Sequence, residues 1–89
     1  MATTVSQRKW RSRNHLVKRQ LNIMARELVH DYLDEIAGVF RLRGKGEAVT
    51  FASFVTKALI QQSEFNPEAE RLLVLFSEVY HRDRDLYSA

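Results

Sequence analysis

The stretch Val17–Ala37, VKRQLNIMARELVHDYLDEIA, changes rhythm part-way along. From Val17 to Met24 the side chains alternate. Val17, Leu21 and Ile23 lie on one side, with Arg19 as the odd member, and Lys18, Gln20, Asn22 and Met24 lie on the other. A period of two is the pattern of a strand with one buried face. From Ala25 onward apolar residues recur every three or four positions, as on a helix. The chain offers no second strand to pair with the first. A lone strand cannot satisfy its backbone N–H and C=O groups, nor cover one face by itself. The pattern therefore predicts a strand that pairs with its own copy in a second chain, forming an antiparallel ribbon with the helices of both chains packed beneath it.

Three helices are expected after the strand. The first spans 26–40, with Leu28, Val29, Tyr32, Leu33, Ile36 and Phe40 as its apolar stripe and Glu27 in the first turn, where the helix dipole favours an anion. The glycines of RGKG, Arg43–Gly46, break it. The second starts near Glu47 or Thr50 and runs to Gln62, with Phe51, Phe54, Val55, Ala58 and Leu59 at helical spacing. The third starts at NPEAE, where Asn66 is the cap and Pro67 the first helical residue. Leu72, Leu75, Phe76 and Val79 form its stripe, widened by Leu73 and Tyr80, and the polar tail HRDRDLYSA is expected to fray. Phe51, Phe54 and Phe76 read as core residues. The layout is then a basic flexible arm over 1–15, a core of strand and two helices over 16–62, and a C-terminal helix with a frayed tail over 63–89.

Charge is distributed unevenly. The net charge is only +3, yet residues 1–26 carry seven basic side chains and no acid, whereas residues 27–89 carry seven basic and eleven acidic ones. The N-terminal end thus suits a polyanion. Cysteine is absent, which excludes disulfides and thiolate metal sites and suits a reducing cytoplasm. No apolar run approaches a membrane span, and the basic N-terminus has no apolar stretch behind it of the kind a secretory signal needs. A chain of 89 residues buries a thin core as a monomer, for which oligomerisation is a common remedy.

A two-stranded ribbon fits the DNA major groove, and Gln, Asn and Lys side chains on its outer face suit base edges. At RQLNIMARELV and TFASFVTKAL the sequence resembles the ribbon-helix-helix family of the Arc and methionine repressors. The resemblance covers roughly residues 17–62. It implies a mainly helical homodimer whose paired N-terminal strands read DNA, with an additional C-terminal helix in this chain. By position, Gln20, Asn22 and Met24 would be the outward strand residues and Leu21 and Ile23 the core-facing ones, with Lys18 beside them. Met24 departs from the family's polar choice but suits a thymine methyl. Val49 stands where a small polar cap is expected, so Thr50 or Gly46 would cap instead; the connection between the helices is long, and the phosphate anchor is expected at Lys45, Gly46 and Thr50. Arg8, Lys9, Arg11, Arg13 and Arg19 would add phosphate contacts. The dimer core would hold Val17, Leu21, Ile23, Leu28, Tyr32, Leu33, Ile36, Phe54, Val55, Ala58 and Leu59. The resemblance further implies a bacterial cytoplasmic protein, most often a transcriptional repressor, with antitoxins and plasmid partition or conjugation factors as relatives in fold.

Enzymatic readings find no support. His30 and Asp34, one turn apart with Asp31 and Glu35 nearby, read as a solvated acidic face rather than a metal site. HRD, His81–Asp83, echoes a kinase catalytic loop without a glycine-rich nucleotide loop to accompany it, and GKGE is too short for a P-loop. No cofactor or metal is expected. The expected partners are double-stranded DNA, a second copy, and higher oligomers on DNA. A protein partner on 63–89, or a helical interaction module without DNA binding, are the alternatives.

Overall fold

The computed structural model describes residues 16–88 and is mainly helical. Helix α1 spans Glu27–Val39, α2 Lys45–Gln62, α3 Pro67–Arg82, and a single turn, α4, Arg84–Tyr87. Helix α1 packs on α2, and α2 on α3. The residues that let the helices approach are small. The only apolar side chains buried among the described residues are Ala37 in α1, Ala48 in α2 and Ala69 in α3. Larger side chains are only partly covered: the Phe40 and Phe51 rings meet across the α1–α2 turn with centroids 4.5 Å apart.

The turn between α1 and α2 differs from the expected glycine break. Helix α1 stops at Val39, before either glycine of RGKG, because Arg41 adopts a left-handed conformation (φ 57°). The Leu42 N–H then donates to the Ala37 carbonyl at 2.8 Å, and the Phe40 N–H to Ile36 at 3.1 Å, closing the helix in a Schellman-type turn. Glycine is the usual residue at such a position. Gly44 acts one step later. With φ 155° and ψ −165° it occupies a region almost reserved for glycine, and it starts α2 two residues ahead of Glu47. The cap of α2 is therefore Gly44, not Gly46 or Thr50. Glu47, three residues in, reaches back instead. Its carboxylate accepts the Arg43 backbone N–H at 2.9 Å and the Arg43 guanidinium at 2.9 and 3.1 Å.

The start of α3 is as expected. The Asn66 side-chain oxygen accepts from the Glu68 and Ala69 N–H groups at 3.0 and 3.3 Å, with Pro67 in the first turn. The tail is not frayed: His81 and Arg82 complete α3, and Arg84–Tyr87 form a further turn. Tyr87 stacks on Tyr80 (5.9 Å, 21°) and approaches Tyr32 of α1 (6.3 Å). An aromatic contact of this kind outweighs the polar composition of the surrounding tail.

The expected strand has no counterpart among the described residues. Residues 18–26 take no regular secondary structure, and no strand among the described residues lies beside them. Two expected core residues, Phe54 and Phe76, are 71% and 61% exposed in the single chain. The basic residues Arg8, Lys9, Arg11 and Arg13 lie outside the described residues, as does the expected arm over 1–15.

Candidate nucleic-acid interface

Residues 18–25 make no backbone–backbone hydrogen bond with other described residues. Over residues 20–23 the side chains nonetheless keep the period of two. The Gln20 amide donates to the Asn22 side-chain oxygen at 3.1 Å, so these two side chains share one side of the segment. Leu21 and Ile23 border an open hollow of ≈840 Å³, which Gln20 and Asn22 do not line. An extended backbone would sort side chains in this way, because its neighbouring Cβ atoms point to opposite faces. Met24 breaks the order: it is 87% exposed and borders the same hollow as Ile23, where the chain turns into α1. Lys18 and Arg19 are both exposed.

The hollow is largely apolar: Val29 and Leu33 from α1, Val49 from α2, Tyr80 from α3 and Tyr87 line it, with His30 and Ser53 among them. Its rim includes Lys45, Gly46 and Thr50, so the segment and the first turn of α2 border one feature. Leu21 and Ile23 remain 71% and 67% exposed beside it, and Val17 65%. The helical members of the expected dimer core split in two. Leu33, Ile36, Val55 and Ala58 are half-buried, whereas Leu28, Tyr32 and Leu59, like Phe54, stay exposed in the single chain.

At the first turn of α2 the expected anchor residues are adjacent but differently engaged. The first N–H groups of a helix lack intrahelical acceptors and carry the positive end of its dipole. Here those groups belong to Lys45, Gly46 and Glu47. Lys45 pairs with Asp34 of α1 at 3.2 Å, both side chains being well exposed. The Thr50 hydroxyl turns back to the Gly46 carbonyl at 3.4 Å and so does not cap the helix. The carboxyl of Glu47 is held below the usual glutamate range, first by the Arg43 backbone N–H and then by the Arg43 guanidinium. Glu47 is the residue the sequence reading passed over. Its signal was the glutamate three residues into the helix, the spacing at which an acid reaches back over a helix start.

Among the described residues no helix is long and apolar enough to cross a membrane, and no group of three or more His, Asp or Glu side chains is placed to hold a metal ion. No protein family, curated protein or solved structure matches the chain.

Proposed function

We propose that the chain is a homodimeric, sequence-specific DNA-binding protein, a small transcriptional repressor, in which residues 17–24 of two copies pair as an antiparallel ribbon in the major groove. The observation that carries the reading is the sorting of side chains over 20–23. Gln20 and Asn22 share a face that is free of the hollow, and Leu21 and Ile23 take the face beside it. Pairing two such segments would satisfy their backbone groups and cover Leu21 and Ile23, leaving Gln20, Asn22 and Lys18 outermost. Asn and Gln bond adenine edges in two places at once, and Lys bonds guanine. The run of seven basic residues with no acid over 1–26 supports a polyanionic partner. Arg19 and the first turn of α2, with Lys45, Gly46 and Thr50, would take phosphates, which position the protein without reading sequence. Lys45 would exchange Asp34 for a phosphate on binding.

A second reading assigns residues 63–89 to a protein partner, as in an antitoxin. Exposed Phe65 (80%) and Phe76 (61%) favour it, and it is compatible with the first. An interaction module without DNA binding would show no preference among DNA sequences.

The test separates reading from gripping. A preferred site is first selected from random DNA, and binding to it and to random DNA is measured at one salt concentration. Asn22→Ala is expected to cost roughly 1–3 kcal/mol per half-site on the selected DNA and little on random DNA. Lys45→Ala is expected to weaken both alike. Equal losses on both DNAs for Asn22→Ala would remove Asn22 from the reading face, and a selection that yields no preferred site would remove the function itself.

A further inference from the structure

The tail of the chain meets the junction between the reading segment and α1. Arg26, the residue before α1, donates from Nε to the Ser88 carbonyl at 2.7 Å, a contact between residues 62 apart in sequence. The Arg26 carbonyl accepts from the N–H groups of Val29 and His30 at 2.9 and 3.2 Å, and its ψ of 155° sends the preceding chain away from the helix. Ser88 is itself held, its N–H and hydroxyl both donating to the Arg84 carbonyl at 2.9 and 3.1 Å. Tyr87, beside it, stacks on Tyr80 of α3 and leans on Tyr32 of α1. The tail thus bridges α3 and α1 by two aromatic contacts and one charge-assisted hydrogen bond, the stronger kind of protein hydrogen bond.

We infer that residues 84–88 form a strap that positions the reading segment: by holding Arg26 against Ser88, with Tyr87 seated between Tyr32 and Tyr80, the strap sets the direction in which residues 18–25 leave α1. Arg26 is then a positioning residue and not a phosphate contact, although it belongs to the basic N-terminal run. The strap itself stands on contacts within one chain. Its consequence for DNA, a reading face held at one angle to the helices, rests on the function proposed above.

Because the chain has no cysteine, a single pair of nitroxides can be placed at Arg19→Cys and Gln61→Cys. Excess unlabelled protein removes distances between chains, and pulsed electron paramagnetic resonance without DNA gives the distribution of the distance within one. A narrow distribution is expected with the strap intact. Tyr87→Ala and Arg26→Met should each broaden it roughly twofold, as expected for a segment released from one orientation. Tyr87→Phe keeps the ring and should leave the width unchanged. Circular dichroism checks that the helices survive. Should Tyr87→Ala lose helicity, Arg26→Met decides, since it removes only an exposed hydrogen bond. An unchanged width in a helical Tyr87→Ala or in Arg26→Met would overturn the strap and leave the DNA reading standing. Absence of any preferred DNA site would remove the DNA reading and leave the strap.

Discussion

Residues 66–69 and residues 18–25 both carry strong local signals, and they end in opposite conditions. At the start of α3, Asn66 accepts from two backbone N–H groups, Pro67 removes a donor that would have gone unpaired, and Glu68 and Glu70 lie at the positive end of the dipole. Everything that the signal requires lies within a few residues. In the segment before α1 the alternation decides which side chains share a face, yet no backbone–backbone hydrogen bond is made with other described residues. Leu21 and Ile23 stay largely exposed. A cap completes itself from its own neighbours, whereas a strand depends on a partner that its own sequence does not contain. The two regions therefore respond differently to substitution.

The largest effect is expected at Leu21. In the single chain its side chain is 71% exposed, so for a protein that works as a monomer Leu21→Asp would change stability by less than about 0.5 kcal/mol. In the paired ribbon the substitution enters the core twice, and each buried leucine is worth roughly 1.5–3 kcal/mol. Leu21→Asp is expected to abolish the dimer and its folding, as seen by sedimentation and circular dichroism. A variant as stable as the parent would break the comparison, because the segment would then need no partner.

At the self-sufficient end the effects are smaller and local. Asn66→Ala removes the acceptor for two N–H groups and is expected to cost about 1 kcal/mol in urea unfolding. No change would mean that water replaces the cap at no cost. Smaller still, Arg41→Gly relieves a left-handed residue at the end of α1 and is expected to raise stability by up to about 1 kcal/mol. A lower urea midpoint would show that the Arg41 side chain contributes more than its backbone costs.

The same distinction explains which parts of the molecule the sequence revealed. The helices were legible because their period is local: Leu28 to Ile36, Phe51 to Leu59 and Leu72 to Val79 each repeat within one element. The end of α1 was not, because an arginine in the left-handed region carries no compositional signal and the glycines three and five residues later drew attention instead. The start of α2 was placed late for a related reason, since Gly44 acts there through its dihedral angles and Glu47 through Arg43. The tail was misread because its polar residues outnumber Tyr87, whose partners Tyr32 and Tyr80 come from two other helices. In the candidate interface, the neighbourhood of Gln20 and Asn22 was legible from alternation alone. The ion pair of Lys45 with Asp34 was not, since it joins two helices whose relative placement no local pattern gives.

The central claim is that residues 17–24 complete themselves only across a two-fold axis. Its most direct test is an isotope-filtered nuclear Overhauser experiment on a mixture of labelled and unlabelled chains. An antiparallel ribbon brings facing backbones within about 4.5–5.5 Å. The account predicts cross-peaks between chains among the backbone protons of residues 18–24, in a species that sediments as a dimer. A sedimenting monomer, or a dimer whose contacts between chains involve only the helices and leave residues 18–24 without any, would contradict it.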